Sequence, residues 1–142
     1  MKNNQGYLTE KKMKKWFRGT SVSDDCVDFQ TKTTLYEVKS CNLINQYSNS
    51  NHLRSYKNAP HKKYVGNHLG RFHIKRENHN LIQKIAKERG KVAKYIFVIV
   101  IGKQKIWKTC TWDHIDSLIK ITNFDGVILK IADIFEVSLC HL

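Results

Sequence analysis

Apolar positions along this chain follow two rhythms, a three-to-four-residue period in some stretches and alternation or unbroken runs in others. From about Leu8 to Arg18 the apolar Met13, Trp16 and Phe17 fall on one stripe while Lys11, Lys12, Lys15 and Arg18 mostly point elsewhere, which predicts a helix stopped at Gly19. Only a very short strand fits before Cys26, around Ser21-Val22-Ser23. Cys26 to Cys41 is rich in β-branched and aromatic residues and has no Gly or Pro, so it reads as two strands joined by a tight turn near Lys32-Thr33. Residues from Asn42 to about Gly70 are polar without clear periodicity and read as a long loop or insertion. Gly70 to Ile74 alternates like a strand, and Glu77 to Arg89 reads as a helix closed by Gly90, with Leu81, Ile82, Ile85 and Ala86 as its apolar face.

Tyr95 to Ile101 is apolar throughout, as expected of a central strand covered on both faces. Gly102-Lys103-Gln104 then turns the chain into a strand over Lys105 to Cys110, and Asp113 starts a helix through Ile121 with Ile115, Leu118 and Ile119 inward. After a turn at Asn123 to Gly126, Val127 to Ile131 and Ile134 to Val137 supply a short strand and a helical turn, in either order. Helices and strands interleaved in this way predict an α/β domain, a mixed central sheet flanked by helices, with residues 1–142 as one domain and the polar insertion at about 42–70.

A turn at Lys32-Thr33 sets Asp28 opposite Glu37 and Cys26 opposite Lys39. Strand side chains alternate, so Cys26, Asp28, Glu37 and Lys39 share one face, and Val27, Phe29, Tyr36 and Val38 the other. Like charges directly opposed across strands are destabilising, and a hard divalent cation with oxygen ligands would relieve that opposition. A Glu-Val-Lys alternation is equally an ordinary solvated strand face; the paired Asp, the small residue after the lysine and the basic surroundings weigh toward a site. Glu10 sits on the buried stripe of the first helix, where it either complements the helix dipole or reaches that site. Asp24 and Asp25 are further ligand candidates, or else turn or capping residues.

Asp28, nine residues ahead of Glu37-Val38-Lys39 and with Ser40 following, resembles the signature of the PD-(D/E)xK nuclease superfamily, the restriction-endonuclease-like fold that includes archaeal Holliday junction resolvases. The resemblance implies an αβββαβ core spanning about Gln5 to Ile101. It implies Mg²⁺ held by Asp28, Glu37 and the Val38 carbonyl, with Mn²⁺ also supporting activity. Lys39 would be the catalytic ammonium that orients the attacking water, and Glu10 the first-helix carboxylate that reaches the metal. Val27 stands where the family name has Pro. Within the superfamily a small basic chain is most similar to a Holliday junction or branched-DNA resolvase, with a restriction-like or viral nuclease next.

Charge sharpens the choice of partner. Among 142 residues, 25 Lys and Arg against 12 Asp and Glu give a formal charge of +13, which favours a polyanion and makes DNA, double-stranded or branched, the expected partner. In the polar insertion Arg54, Lys62 and Lys63 interleave with Tyr56, Lys57, His61 and Tyr64, and Arg71 and His73 point outward on the next strand. All suit phosphate contact. No stretch has membrane-spanning length or a signal-peptide pattern, so a soluble cytoplasmic protein is expected. Cys26, Cys41, Cys110 and Cys140 have no Cys-x-x-Cys spacing and read as reduced thiols, although Cys26 and Cys41 flank the hairpin closely enough for a disulfide. A symmetric homodimer is expected if two strands are cut in register. Two rivals remain: a non-catalytic basic nucleic-acid-binding protein, and a histidine-centred ββα-metal nuclease built on Asn78-His79-Asn80. There is no Gly-rich phosphate loop to support nucleotide-driven chemistry.

Overall fold

The longest apolar run becomes the centre of the sheet. In a computed structural model, which describes residues 4–22, 27–48, 65–120 and 126–135, Val92–Ile101 forms strand β6 with Tyr95 through Ile99 all buried. Such a run has no polar face to turn to water, so it is stable only between two layers. β6 pairs in parallel with β2 (Thr34–Asn42) and antiparallel with β7 (Gln104–Thr111). The two-residue strand β1 (Phe29–Gln30) adds antiparallel to β2, giving a mixed sheet in the order β1-β2-β6-β7.

One face of this sheet is covered by helix α1 (Asn4–Trp16), whose Met13 packs with Phe29, Tyr36, Val38, Ile96 and Val98. The other face carries α2 (Arg76–Glu88), α3 (Trp112–Ile119) and a small antiparallel sheet of β5 (Arg71–Lys75) and β8 (Gly126–Lys130), followed by α4 (Ile131–Phe135). Phe72 and Ile74 of β5 meet Phe97, Ile99, Ile115 and Ile119 in the largest apolar cluster. The protein is therefore α/β, a mixed sheet flanked by helices. Among the described residues, no helix is long and apolar enough to cross a membrane.

Several sequence expectations shift for identifiable reasons. Helix α1 ends through Arg18, which takes φ 54°, while the Gly19 N–H reaches the Lys14 carbonyl at 2.8 Å and the Arg18 N–H the Lys15 carbonyl at 3.2 Å. Arg18 thus fills the left-handed capping position usually given to glycine. Gly19 is required instead for room, since a Cβ there would lie 2.3 Å from the Phe29 ring. The strand expected around Ser21-Val22-Ser23 shrinks to a single antiparallel bridge, Thr20 with Gln30. The polar region 42–70 is not wholly loop: Ile44–Ser48 (β3) and Val65–Leu69 (β4) form an antiparallel ribbon, Ile44 opposite Leu69. Its base is fixed where the Leu43 N–H donates to the Val100 carbonyl (3.0 Å) and the Gly70 N–H to the Leu43 carbonyl (2.9 Å). On α2 the inward positions are His79, Ile82 and Ala86, while Leu81 faces solvent. Among the described strands β5 pairs with β8, outside the main sheet.

Candidate active site

The site arises where β1 leaves β2. Phe29 pairs with Tyr36 and Gln30 with Leu35, the register that a turn at Lys32-Thr33 predicts. One residue earlier the ladder slips, because the Asp28 N–H donates to the Tyr36 carbonyl (3.0 Å) and the Asp28 carboxylate Oδ2 accepts from the Val38 N–H at 2.6 Å. A side-chain oxygen has replaced the backbone acceptor that a longer β1 would have supplied. The slip also breaks the expected alternation: Val27 does not share a face with Phe29 but packs with Leu35, Ile82, Ala86 and Ala93 on the α2 side. In a strand the N–H and C=O of one residue point to the same side. The Val38 carbonyl therefore opens toward the edge at which its N–H meets Asp28.

Glu37 and Lys39 follow on β2, in register with Tyr95 and Phe97 of β6. Lys39 Nζ lies 3.8 Å from Glu37 Oε1, and their side chains keep 30% and 12% of their surface. Burial pushes the Glu37 carboxyl up to about 10; a hydrogen bond to Asp28, the charge of Asp28 and that of Glu10 push the same way, and only Lys39 opposes them. Glu10, Asp28, Glu37 and Lys39 thus occupy one electrostatic neighbourhood, three carboxyls to one ammonium. Two half-buried carboxyls side by side disfavour each other's ionisation, and a cation between them would favour both charged forms. Without one, Glu37 keeps its proton and donates it toward Asp28.

No family model, curated protein or solved structure matches this chain. The functional reading therefore rests on the residues themselves. Among the described residues, no group of three or more His, Cys, Asp or Glu side chains is placed to hold a metal ion. The fit to a divalent ion rests on a smaller set of oxygens, the Asp28 and Glu37 carboxyls with the Val38 carbonyl. That all-oxygen set suits a hard ion such as Mg²⁺, which dehydrates reluctantly and keeps several waters. The burial and the Asp28 charge that favour a proton on Glu37 would equally favour a cation beside the two carboxyls.

Arg71 and His73 are exposed on β5, opposite Lys130 and Ile128, and neither is joined by a hydrogen bond or ion pair to the carboxyl cluster. Arg54, Lys62 and Lys63 lie outside the described residues, as do Asp24, Asp25, Cys26 and Cys140. Cys41 and Cys110 are free thiols, and burial pushes both up, Cys41 to about 11.

The pattern reading missed a buried polar network behind the site. His79 keeps 1% of its surface, with Nδ1 2.7 Å from the Tyr95 hydroxyl and Nε2 3.1 Å from Asp116 Oδ1. Trp112 stacks on its ring at 4.2 Å with planes 6° apart and donates Nε1–H to the His79 carbonyl (2.7 Å). Burial holds the imidazole below its ordinary value although Asp116 pulls it the other way. A neutral ring donates Nε2–H to the carboxylate and accepts the tyrosine O–H at Nδ1. Desolvation raises the Asp116 carboxyl, but hydrogen bonds from Lys120 and His79 outweigh it and leave it below its usual value. Both ring nitrogens of His79 are thus committed and its face is covered, which removes it as the centre of a histidine-type metal nuclease. The sequence clue was its spacing, three before Ile82 and seven before Ala86 on one helical face.

Proposed function

We propose that this protein is a divalent-metal-dependent DNA endonuclease of the PD-(D/E)xK type. The observation that carries the reading is the half-buried Asp28–Glu37 pair, with Lys39 and Glu10 near it, at the edge where β1 parts from β2. The order of elements supports it as well: α1, the Thr20–Gln30 bridge in place of a first strand, β1, β2, then α2 and β6 parallel to β2. That order is compatible with an αβββαβ core in which the Thr20–Gln30 bridge stands in for a first strand and the ribbon β3–β4 and strand β5 are additions before the second helix.

Phosphodiester hydrolysis needs a nucleophile aimed at phosphorus and neutralisation of the charge that builds on the phosphoryl oxygens. Asp28 and Glu37, with the Val38 carbonyl, would hold Mg²⁺ or Mn²⁺, and the ion when bound supplies Lewis-acid charge and a more acidic water. Asp28 is fixed for this by its bond from the Val38 N–H. Glu37 would bind such an ion in its ionised form. Lys39, three-tenths exposed and anchored near Glu37, can orient the attacking water and balance charge on the phosphate. Glu10 adds a third carboxyl from α1, able to accept a proton or hold a water at the rim. The +13 net charge draws and holds the DNA backbone without reading bases.

Within this class a branched-DNA or Holliday junction resolvase is the favoured substrate reading, acting as a symmetric homodimer so that two sites cut two strands. Cleavage of supercoiled plasmid, linear duplex and a synthetic four-way junction, by wild type and Glu37→Ala with Mg²⁺, Mn²⁺ or EDTA, tests it. Metal-dependent cutting by wild type alone, strongest on the junction, is the expected result. Tight binding with no cutting of any substrate would overturn it in favour of a basic nucleic-acid-binding protein.

A further inference from the structure

The flank of α1 turned away from the carboxyls is built unlike the rest of the surface. On a helix of 3.6 residues per turn, Glu10 and Phe17 fall to one side of the buried Met13, and Lys12 and Trp16 to the other. Between that second flank and β7 runs a groove of about 280 Å³ lined by Lys12, Met13, Trp16, Lys103, Lys105 and Trp107. Trp16 leaves 67% of its surface to solvent and Trp107 37%. Large aromatic rings left in water are informative because burying them is worth so much. The Trp16 ring is nonetheless held in place, its centroid 5.3 Å from that of Trp107 with the planes at 71°. One indole edge braces the other, so a flat stacking surface is prepared in advance.

The polar lining is entirely cationic. Three lysines and no acidic residue line the groove, which demands an anionic occupant, while two indoles demand a flat or apolar one. A nucleotide with an unpaired base meets both demands, because base stacking on aromatic rings beside backbone-tracking cations is how single strands are held. Duplex DNA meets only the first, since its bases are already stacked.

We propose that this groove is a binding site for single-stranded nucleic acid, with an unpaired base on Trp16 and Trp107 and the flanking phosphates on Lys12, Lys103 and Lys105. The site rests on the reading of nucleic acid as the substrate and gives that reading a structure preference. The groove borders β7 and the carboxyl cluster lies at β1 and β2, toward the other edge of the sheet order β1-β2-β6-β7, and a branched or frayed substrate has the reach to engage both. Its unpaired strand lies in the groove while the adjoining backbone lies at Asp28 and Glu37.

The test is binding of fluorescently labelled oligo(dT) and of a blunt duplex to the full chain in EDTA, read by anisotropy, for wild type, Trp16→Leu and Trp16→Phe. Trp16→Leu is expected to weaken oligo(dT) binding by about tenfold or more and duplex binding by less than about twofold, with Trp16→Phe retaining most of the affinity. Lys105→Gln is expected to lower the salt slope for oligo(dT) by about 0.7. Equal oligo(dT) affinity for Trp16→Leu and wild type would overturn the site. So would a Trp16→Leu effect confined to binding of anionic lipid vesicles or to self-association, since either would assign the groove a different occupant. EDTA separates this test from the catalytic one. Trp16-dependent binding by a protein that never cuts would sink the nuclease and keep the groove; metal-dependent cutting with Trp16-independent binding would do the reverse.

Discussion

Two polar clusters sit side by side on the same face of the sheet, one around Glu37 on β2 and one around Tyr95, its register partner on β6. Around Tyr95 every strong group has a complement: hydroxyl to imidazole, imidazole to carboxylate, carboxylate to Lys120, indole N–H to carbonyl. Around Glu37, by contrast, the nearby charges pull against one another, Asp28 and Glu10 favouring its proton and Lys39 opposing it. Buried polar networks rigidify a fold when fully satisfied and are costly when not. The difference therefore separates a brace from a site. The His79 cluster ties α2 and α3 to β6, whereas burial and the neighbouring Asp28 favour the proton on Glu37.

Breaking the site should give the largest effects. Glu37→Gln is expected to cut cleavage by about 10³-fold or more, because it removes a ligand charge. The same change should stabilise the metal-free protein by about 1–3 kcal/mol, since it removes a strained buried carboxyl while keeping the shape; urea unfolding in EDTA measures it. A loss of stability there would mean that the pair is not strained. Lys39→Met should lower the cleavage rate by about 10²-fold with little change in DNA affinity, measured by single-turnover kinetics against binding in EDTA. Comparable losses in rate and affinity would reduce Lys39 to a phosphate contact.

Breaking the brace should show in stability first. His79→Ala leaves the Tyr95 hydroxyl and Asp116 without their partner and opens space beneath Trp112, so a loss of about 2–4 kcal/mol is expected in urea unfolding. The two clusters should also respond oppositely to pH. His79 stays neutral in the folded protein below its ordinary value of about 6.5, where the unfolded chain takes up a proton, so stability from this cluster falls as pH drops. Asp116, depressed when folded, adds to the loss at still lower pH. In His79→Gln the acid-side loss near pH 6 should shrink, and an unchanged acid limb would assign it to other groups. The smallest effects are expected at Arg71→Ala and His73→Ala, exposed on β5, each changing duplex affinity by less than about threefold at moderate salt.

The contrast also explains what could be read from sequence. Asp28, Glu37, Lys39 and Glu10 were legible because strand alternation, one tight turn and one helical stripe relate them over short stretches of chain. The His79 network was hidden because its partners Tyr95 and Asp116 come from other elements, 16 and 37 residues away. Val27 fell on the wrong face because a side-chain hydrogen bond from Val38 N–H to Asp28, invisible to alternation, shifts the ladder. Ile44–Ser48 and Val65–Leu69 read as loop in the sequence because their pairing partner, not an apolar face, makes them strands. Trp16 carried the right period for burial, but its described ring contact is the edge of Trp107 and 67% of its surface stays in solvent.

The central claim is that Asp28 and Glu37 hold a proton in place of a cation, and the melting temperature from about pH 5 to about pH 9, in EDTA and in millimolar Mn²⁺, tests it most directly. A carboxyl raised to about 10 in the folded state keeps a proton that the unfolded chain gives up above about 4.5, so in EDTA stability should fall as pH rises through this window. Mn²⁺ should raise the melting temperature, increasingly so toward high pH, and Glu37→Gln should abolish both the slope and the metal response. A flat profile in EDTA, with Mn²⁺ stabilising Glu37→Gln as strongly as wild type, would contradict the account.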